Sequence, residues 1–202
     1  VSDRAQATLA YVTAAVHIIA AVAMLVVLRY GLPGYSTEER LLFIHSHQAA
    51  WRGAWLLWHI AAMLVVALFV VLALRYRAWA AIIVSLAAIA IDLTSEQQYM
   101  RVLPLLGGGA FVTLDRRLDV LIGGAANGGY TLALALIAIA GWRDLPPAIA
   151  TMVFPIVTAG AALVVASLLH SALGATIASA LLFPLFTIWM LMVGRWLYKR
   201  SA

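Results

Sequence analysis

There is no cysteine in these 202 residues. That excludes disulfides, thiolate metal centres and cysteine nucleophiles. Charge is scarce too: Asp, Glu, Lys and Arg make up 10% of the chain, against about 25% in an ordinary soluble domain. No basic run is long enough to follow a phosphate backbone, so nucleic acid is not an expected partner. A glycine-rich phosphate loop is also missing, since Gly107 to Gly109 is a bare triplet. The chain shows no fixed-period repeat and no low-complexity tail.

What it has in abundance is apolar length. Hydrophobic residues make up 65% of it, and the mean hydropathy is +1.02. A helix needs about 20 apolar residues to cross a bilayer core. Six stretches approach or exceed that, at about 8–29, 48–75, 78–99, 112–142, 147–173 and 177–198. The expected fold is an all-α, polytopic membrane helix bundle forming a single domain over 1–202. Breakers mark its joints. Gly31-Leu32-Pro33-Gly34 ends the first span, and Pro146-Pro147 open the fifth. Ser36 with Glu39 three residues on has capping-box spacing, which predicts a short interfacial helix over Thr37 to Ser46 before the second span. Pro155 and Pro184 fall inside spans, where neighbouring helices can absorb the freed carbonyls. Arg4 is followed by a run too long for a signal-peptide core and without a small-residue cleavage site, so a retained span is expected there.

Six spans put both termini on one side. With the termini inside, seven basic residues fall inside and six outside, while the acids are lopsided: Asp3 and Asp144 inside, and Glu38, Glu39, Asp92, Glu96, Asp115 and Asp119 outside. The basic end Trp196-Leu-Tyr-Lys-Arg200 fits a bacterial inner-membrane protein with cytoplasmic termini. The positive charge at span ends suits lipid headgroups, so membrane lipids and other membrane subunits are the expected partners.

The candidate site follows from depth and face. Counting from the inner span ends at 1.5 Å per residue puts His59 about 6–10 Å below the outer boundary, with Asp92 and Asn127 at a similar level. Arg52, Glu96, Arg116 and Asp119 lie above them on the same helical faces. These seven residues are expected to converge on an outward-opening polar pocket among spans 2, 3 and 4, with His45 and His170 near its rim. Arg52–Glu96 or Arg116–Asp92 bridges would also explain them as structural pairs. Gly123-Gly124 and Gly128-Gly129 set small residues where helices can approach closely, and Gly124 and Gly128 are expected at the contact.

Other histidines carry weaker signals. His45 and His47 point about 160° apart on a helix, so one metal ion does not suit both. His17 or His59 are candidate axial ligands for haem or another tetrapyrrole. Counting puts His17 roughly 8 Å deeper than His59, which disfavours two ligands on one iron. Ser167-x-x-His170 is one residue short of the Ser-x-x-x-His of ceramidase-like hydrolases, and the chain has no His-x-x-x-His. The rhomboid-type Gly-x-Ser-Gly is absent as well. Trp51, Trp55 and Trp58 are denser than interfacial anchoring requires and suit a lipid, carotenoid or quinone groove, or a protein interface. The sequence therefore favours a non-catalytic membrane protein, a small subunit or partner of a larger assembly that binds a lipid-like or pigment-like ligand. An enzyme on a lipid-like substrate, with His59 and Asp92 as acid and base, and a small transporter are the alternatives.

Overall fold

The computed structural model describes residues 1–32 and 34–201. Among them, six helices are long and apolar enough to cross a membrane. The chain is an integral membrane protein with an all-helical bundle. Helix α1 spans Asp3–Val26 and α2 spans Thr37–Ser46. Helix α3 runs over Gln48–Tyr76, α4 over Trp79–Arg101 and α5 over Gly108–Asp119. A π-helical turn, Val120–Ala126, joins α5 to α6, Asn127–Gly141. Helices α7, Pro147–Leu168, and α8, Ala172–Arg200, complete the bundle.

The ends follow local chemistry. Ser2 accepts a hydrogen bond from the Ala5 amide at 3.3 Å, and so starts α1 five residues before the apolar run. The predicted capping box is present: Glu39 N–H donates to Ser36 Oγ at 3.2 Å and Ser36 N–H donates to Glu39 at 2.9 Å. Those Ser36 donors hold the Glu39 carboxyl below the usual carboxylate range. Arg77 closes α3 at φ 57°, so α4 turns back at once beside it. Pro147 opens α7 where its missing N–H costs nothing. Both α7 and α8 continue as helix through Pro155 and Pro184. The expected stop of span 1 falls partly on Pro33, which lies outside the described residues; Val26 ends the helix before it.

The spans close into a ring in sequence order. Helix α1 packs on α3, α3 on α4, α4 on α6, α6 on α7, α7 on α8, and α8 returns to α1. At the end carrying the termini the ring is filled by side chains such as Leu68, Leu72, Ile137, Ile149, Val193 and Leu197. Arg75 pairs with Asp3, Arg200 lies 3.8 Å from the same carboxylate, and both guanidiniums sit over the Trp196 ring. This ties α1, α3 and α8 together. At the far end a second cluster, including Leu28, Ile44, Trp51, Phe111 and Leu118, is capped by α2.

Candidate functional site

Between these two plugs the ring is hollow. A cavity of about 820 Å³ is lined by every spanning helix. Trp51, Trp55, Trp58 and Phe69 of α3 and Phe183 of α8 give it an aromatic lining. Asp92, Asp119, Asn127, Tyr130 and Ser167 give it polar groups on the side made by α4 to α7, and His17 of α1, Arg40 of α2 and Thr176, Ser179 and Thr187 of α8 line it as well. On the α1 and α8 side the lining includes Ile18, Val22 and Leu25 together with Thr176, Ala180, Pro184 and Ile188, all of which are also exposed. The two helices touch at this level, where the His17 ring meets Phe183 and Phe186. Near the other end of this seam the helices are in tight contact, with Gly194 against Tyr11.

The polar wall is built in a chain. Tyr130 on α6 donates to Asp92 Oδ2 at 2.8 Å. One turn along α4, Glu96 is bonded through Oε2 to His59 Nδ1 of α3. Asp92 and Glu96 are 2% and 0% exposed. Asp92 Oδ1, Glu96 Oε1 and the hydroxyl of Ser95 are buried without a hydrogen-bond partner. Ser167 of α7 donates to Asp119 at 3.4 Å, and Asn127 donates weakly to the Ile122 carbonyl at 3.5 Å in the π turn. That turn carries Gly123, where a Cβ would sit 2.1 Å from Ser167 Oγ. Only glycine lets Asp119 and Ser167 meet there.

Of the seven expected residues, Asp92, Asn127 and Asp119 line the cavity. His59 and Glu96 stand beside them as a bonded pair. Arg52 and Arg116 do not join. Both are exposed, and Arg52 bonds the Met100 carbonyl at 3.2 Å and Gln48 at 3.3 Å, along a separate groove outside α3 and α4. Neither expected bridge forms, since Glu96 meets His59 and Asp92 meets Tyr130. His59 and Asp92 are not bonded to each other as an acid–base pair. The exposed His45, His47 and His170 do not line the cavity; His47 bonds the Phe43 carbonyl at 3.1 Å, and His170 sits in the α7–α8 turn at φ 51°. Among the described residues no three His, Asp or Glu side chains form a metal-binding group.

His17 lies nearer the level of His59 than residue counting gives, because its ring packs on Trp58, the residue before His59, at 5.6 Å. Phe183 and Phe186 complete the box at 5.6 and 5.7 Å. Its Nε2 is buried and unpartnered. The residue lines the cavity. His59 faces α4 instead, so the two histidines do not flank one site.

Sequence reasoning missed Arg40 as a site builder, and put Tyr130 on the pocket face without giving it a role. Arg40 reaches from α2 into the bundle end. It donates two bonds to Asp115 of α5, at 2.7 and 2.6 Å, and a third to the Gly31 carbonyl at 2.9 Å. Asp115 also accepts from Tyr99 at 3.4 Å, and the Tyr99 ring stacks on Trp55 at 4.6 Å. Tyr130 was legible as a partner, since it shares the Asn127 face one turn on. Compared with known protein families, with curated proteins and with solved structures, the chain matches none.

Proposed function

We propose that this protein is a non-catalytic membrane component that takes a lipid-like amphiphile sideways into its cavity. The observation that carries the reading is that the cavity lining on α1 and α8 is also exposed, which we take as the gap it opens through, while Asp92, Tyr130 and Asn127 line the α4–α6 side. An alkyl or isoprenoid chain entering through that gap meets Trp51, Trp55, Trp58 and Phe183, and its polar head meets Asp92, Tyr130 and Asn127. Pockets for small amphiphiles combine such an apolar lining with a few placed polar groups. The acid–base alternative is less well supported, because Glu96 holds His59 and Asp92 is held by Tyr130. Outside the bundle, Leu25, Ile83, Leu105, Ile139 and Leu173 form an apolar belt for lipid or for a further membrane subunit.

The test is quenching of tryptophan fluorescence by a spin-labelled long-chain alcohol in detergent. Saturable quenching is expected. Ala180→Trp, at the gap, should weaken the apparent affinity by about tenfold. Linear quenching that is the same in both proteins would remove the cavity from the reading.

The proposed setting is a bacterial inner membrane with cytoplasmic termini. A reporter active only in the periplasm, fused to the C-terminal end of α8, is expected to stay silent. An active fusion would reverse the orientation and place the polar wall in the cytoplasmic half.

A further inference from the structure

The wall between α3, α4 and α6 holds more carboxylate than its cations explain. Asp92 and Glu96 lie one turn apart on the same face of α4, both buried. Each uses one oxygen: Asp92 Oδ2 accepts from Tyr130, and Glu96 Oε2 meets His59 Nδ1. Each also has one buried oxygen with no partner, Asp92 Oδ1 and Glu96 Oε1. A buried polar atom left unsatisfied is costly, and two adjacent buried carboxylates do not both stay ionised. A single proton between the two idle oxygens satisfies both.

We propose that Asp92 and Glu96 form a proton-binding site, holding one shared proton that Tyr130 connects to the cavity and His59 connects to the outer groove of α3 and α4. Tyr130 lines the cavity. The His59 side chain is 12% exposed and shares its helical face with Arg52 and Leu56, which line that groove. The inference does not depend on the cavity's occupant.

Proton movement along this chain balances without any co-reactant. Tyr130 passes its hydroxyl proton to Asp92 Oδ2 and takes one from the cavity. The proton on Asp92 Oδ1 moves to Glu96 Oε1. The Glu96 carboxyl then turns and hands that same proton to His59 Nδ1, the second ring nitrogen releases one to the groove, and the proton left on Asp92 becomes the new shared one. Only O–H and N–H bonds form and break.

The other ionisable groups around the pair are few and engaged elsewhere. From α3 there is Arg52, exposed and bonded to Gln48. From α4 there are Tyr99, bonded to Asp115, and the exposed Arg101. Beyond the π turn Asp119 is bonded to Ser167, and from α2 Arg40 is bonded in two places to Asp115. On α1, His17 is enclosed by aromatic rings. None of these takes the place of a proton between Asp92 and Glu96.

Infrared spectroscopy of the protein in lipid nanodiscs at neutral pH tests this. A protonated-carboxyl C=O band, shifted by deuterium, is expected in the parent protein. Asp92→Asn and Glu96→Gln should each remove or shift it, with circular dichroism confirming the fold. His59→Gln and Tyr130→Phe should each slow deuterium exchange of that band, and the double variant should slow it about tenfold or more, the equivalent of ~1.4 kcal/mol. The proposal fails if the parent shows no such band, or if the band is unchanged in both single carboxyl variants. Exchange at the parent rate in the double variant overturns the two connections. If added sodium abolishes the band, a metal cation rather than a proton bridges the pair.

Discussion

Replacing Arg40 with alanine should destabilise the protein by about 3–5 kcal/mol, the cost of breaking one side of a buried ion pair. The Arg40 and Asp115 side chains are 8% and 9% exposed, so water does not replace the lost partner. The change leaves the Asp115 carboxylate with only the Tyr99 hydroxyl at 3.4 Å. It also strips the Gly31 carbonyl of the Arg40 donor. Bidentate geometry makes the loss larger than for a surface pair, because both N–H···O bonds go together. The guanidinium also lies over the Phe111 ring at 5.2 Å, so packing is lost as well. Chemical unfolding in detergent, followed by tryptophan emission, measures the cost. Asp115→Asn should fall short of it, because the amide keeps one acceptor for Arg40. Replacing the pair together, Arg40→Met with Asp115→Leu, should recover most of the stability, since apolar groups of similar volume avoid the desolvation cost. A loss under about 1 kcal/mol for Arg40→Ala would mean the pair behaves as an exposed one and that α2 is held by its apolar face.

How much of the fold and site is readable from sequence depends on how far apart the partners lie. Span positions and the α2 capping box are local signals, carried by apolar length and by a Ser and a Glu three residues apart, and they were legible. Residue counting put His59 level with Asp92 and Asn127 and set Glu96 above them, whereas His59 bonds Glu96, about one helical turn from the counted level. Which side chains bond was not legible. Arg40 and Asp115 are 75 residues apart in sequence and meet through two loop geometries that no periodicity encodes. The sequence pairs Arg52 with Glu96 by charge and face, but His59 is one turn nearer the Glu96 level than any cation, and Arg52 is long enough to turn outward to water. The proposed lateral opening was not readable at all, since it depends on how α1 and α8, the first and last spans, pack against each other.

The π turn decides which glycines meet a neighbouring helix. Face counting at 3.6 residues per turn expects Gly124 and Gly128 at the helix contact. Val120–Ala126 is π-helical, which adds about one residue to the turn and rotates α6 relative to α5. The structure puts Gly123 against α7 and Gly129 against α4. Gly128 does face α7, with Val164 Cγ2 3.3 Å from its Cβ position, while Gly124 meets only Val120 of its own turn at 3.8 Å. A Cβ at Gly129 would lie 2.7 Å from Ala88 Cβ and 3.5 Å from Ala88 Cα, so no flexible side-chain end can yield. The two helices must part. Gly129→Leu should therefore cost at least the upper part of the ~1–3 kcal/mol range for overpacking, and Gly124→Ala should be nearly neutral. The consequence reaches the polar wall, because Tyr130 is the next residue and its 2.8 Å bond to Asp92 spans the same α4–α6 contact. Gly129→Ala, the milder change, should lengthen that bond and weaken alcohol-probe quenching in a protein that still folds. Thermal unfolding in detergent reads the first effect and tryptophan quenching the second. Equal melting temperatures for the parent, Gly129→Leu and Gly124→Ala would mean that α4 and α6 are not in contact at Ala88, and the Asp92–Tyr130 bond would lose its support with them.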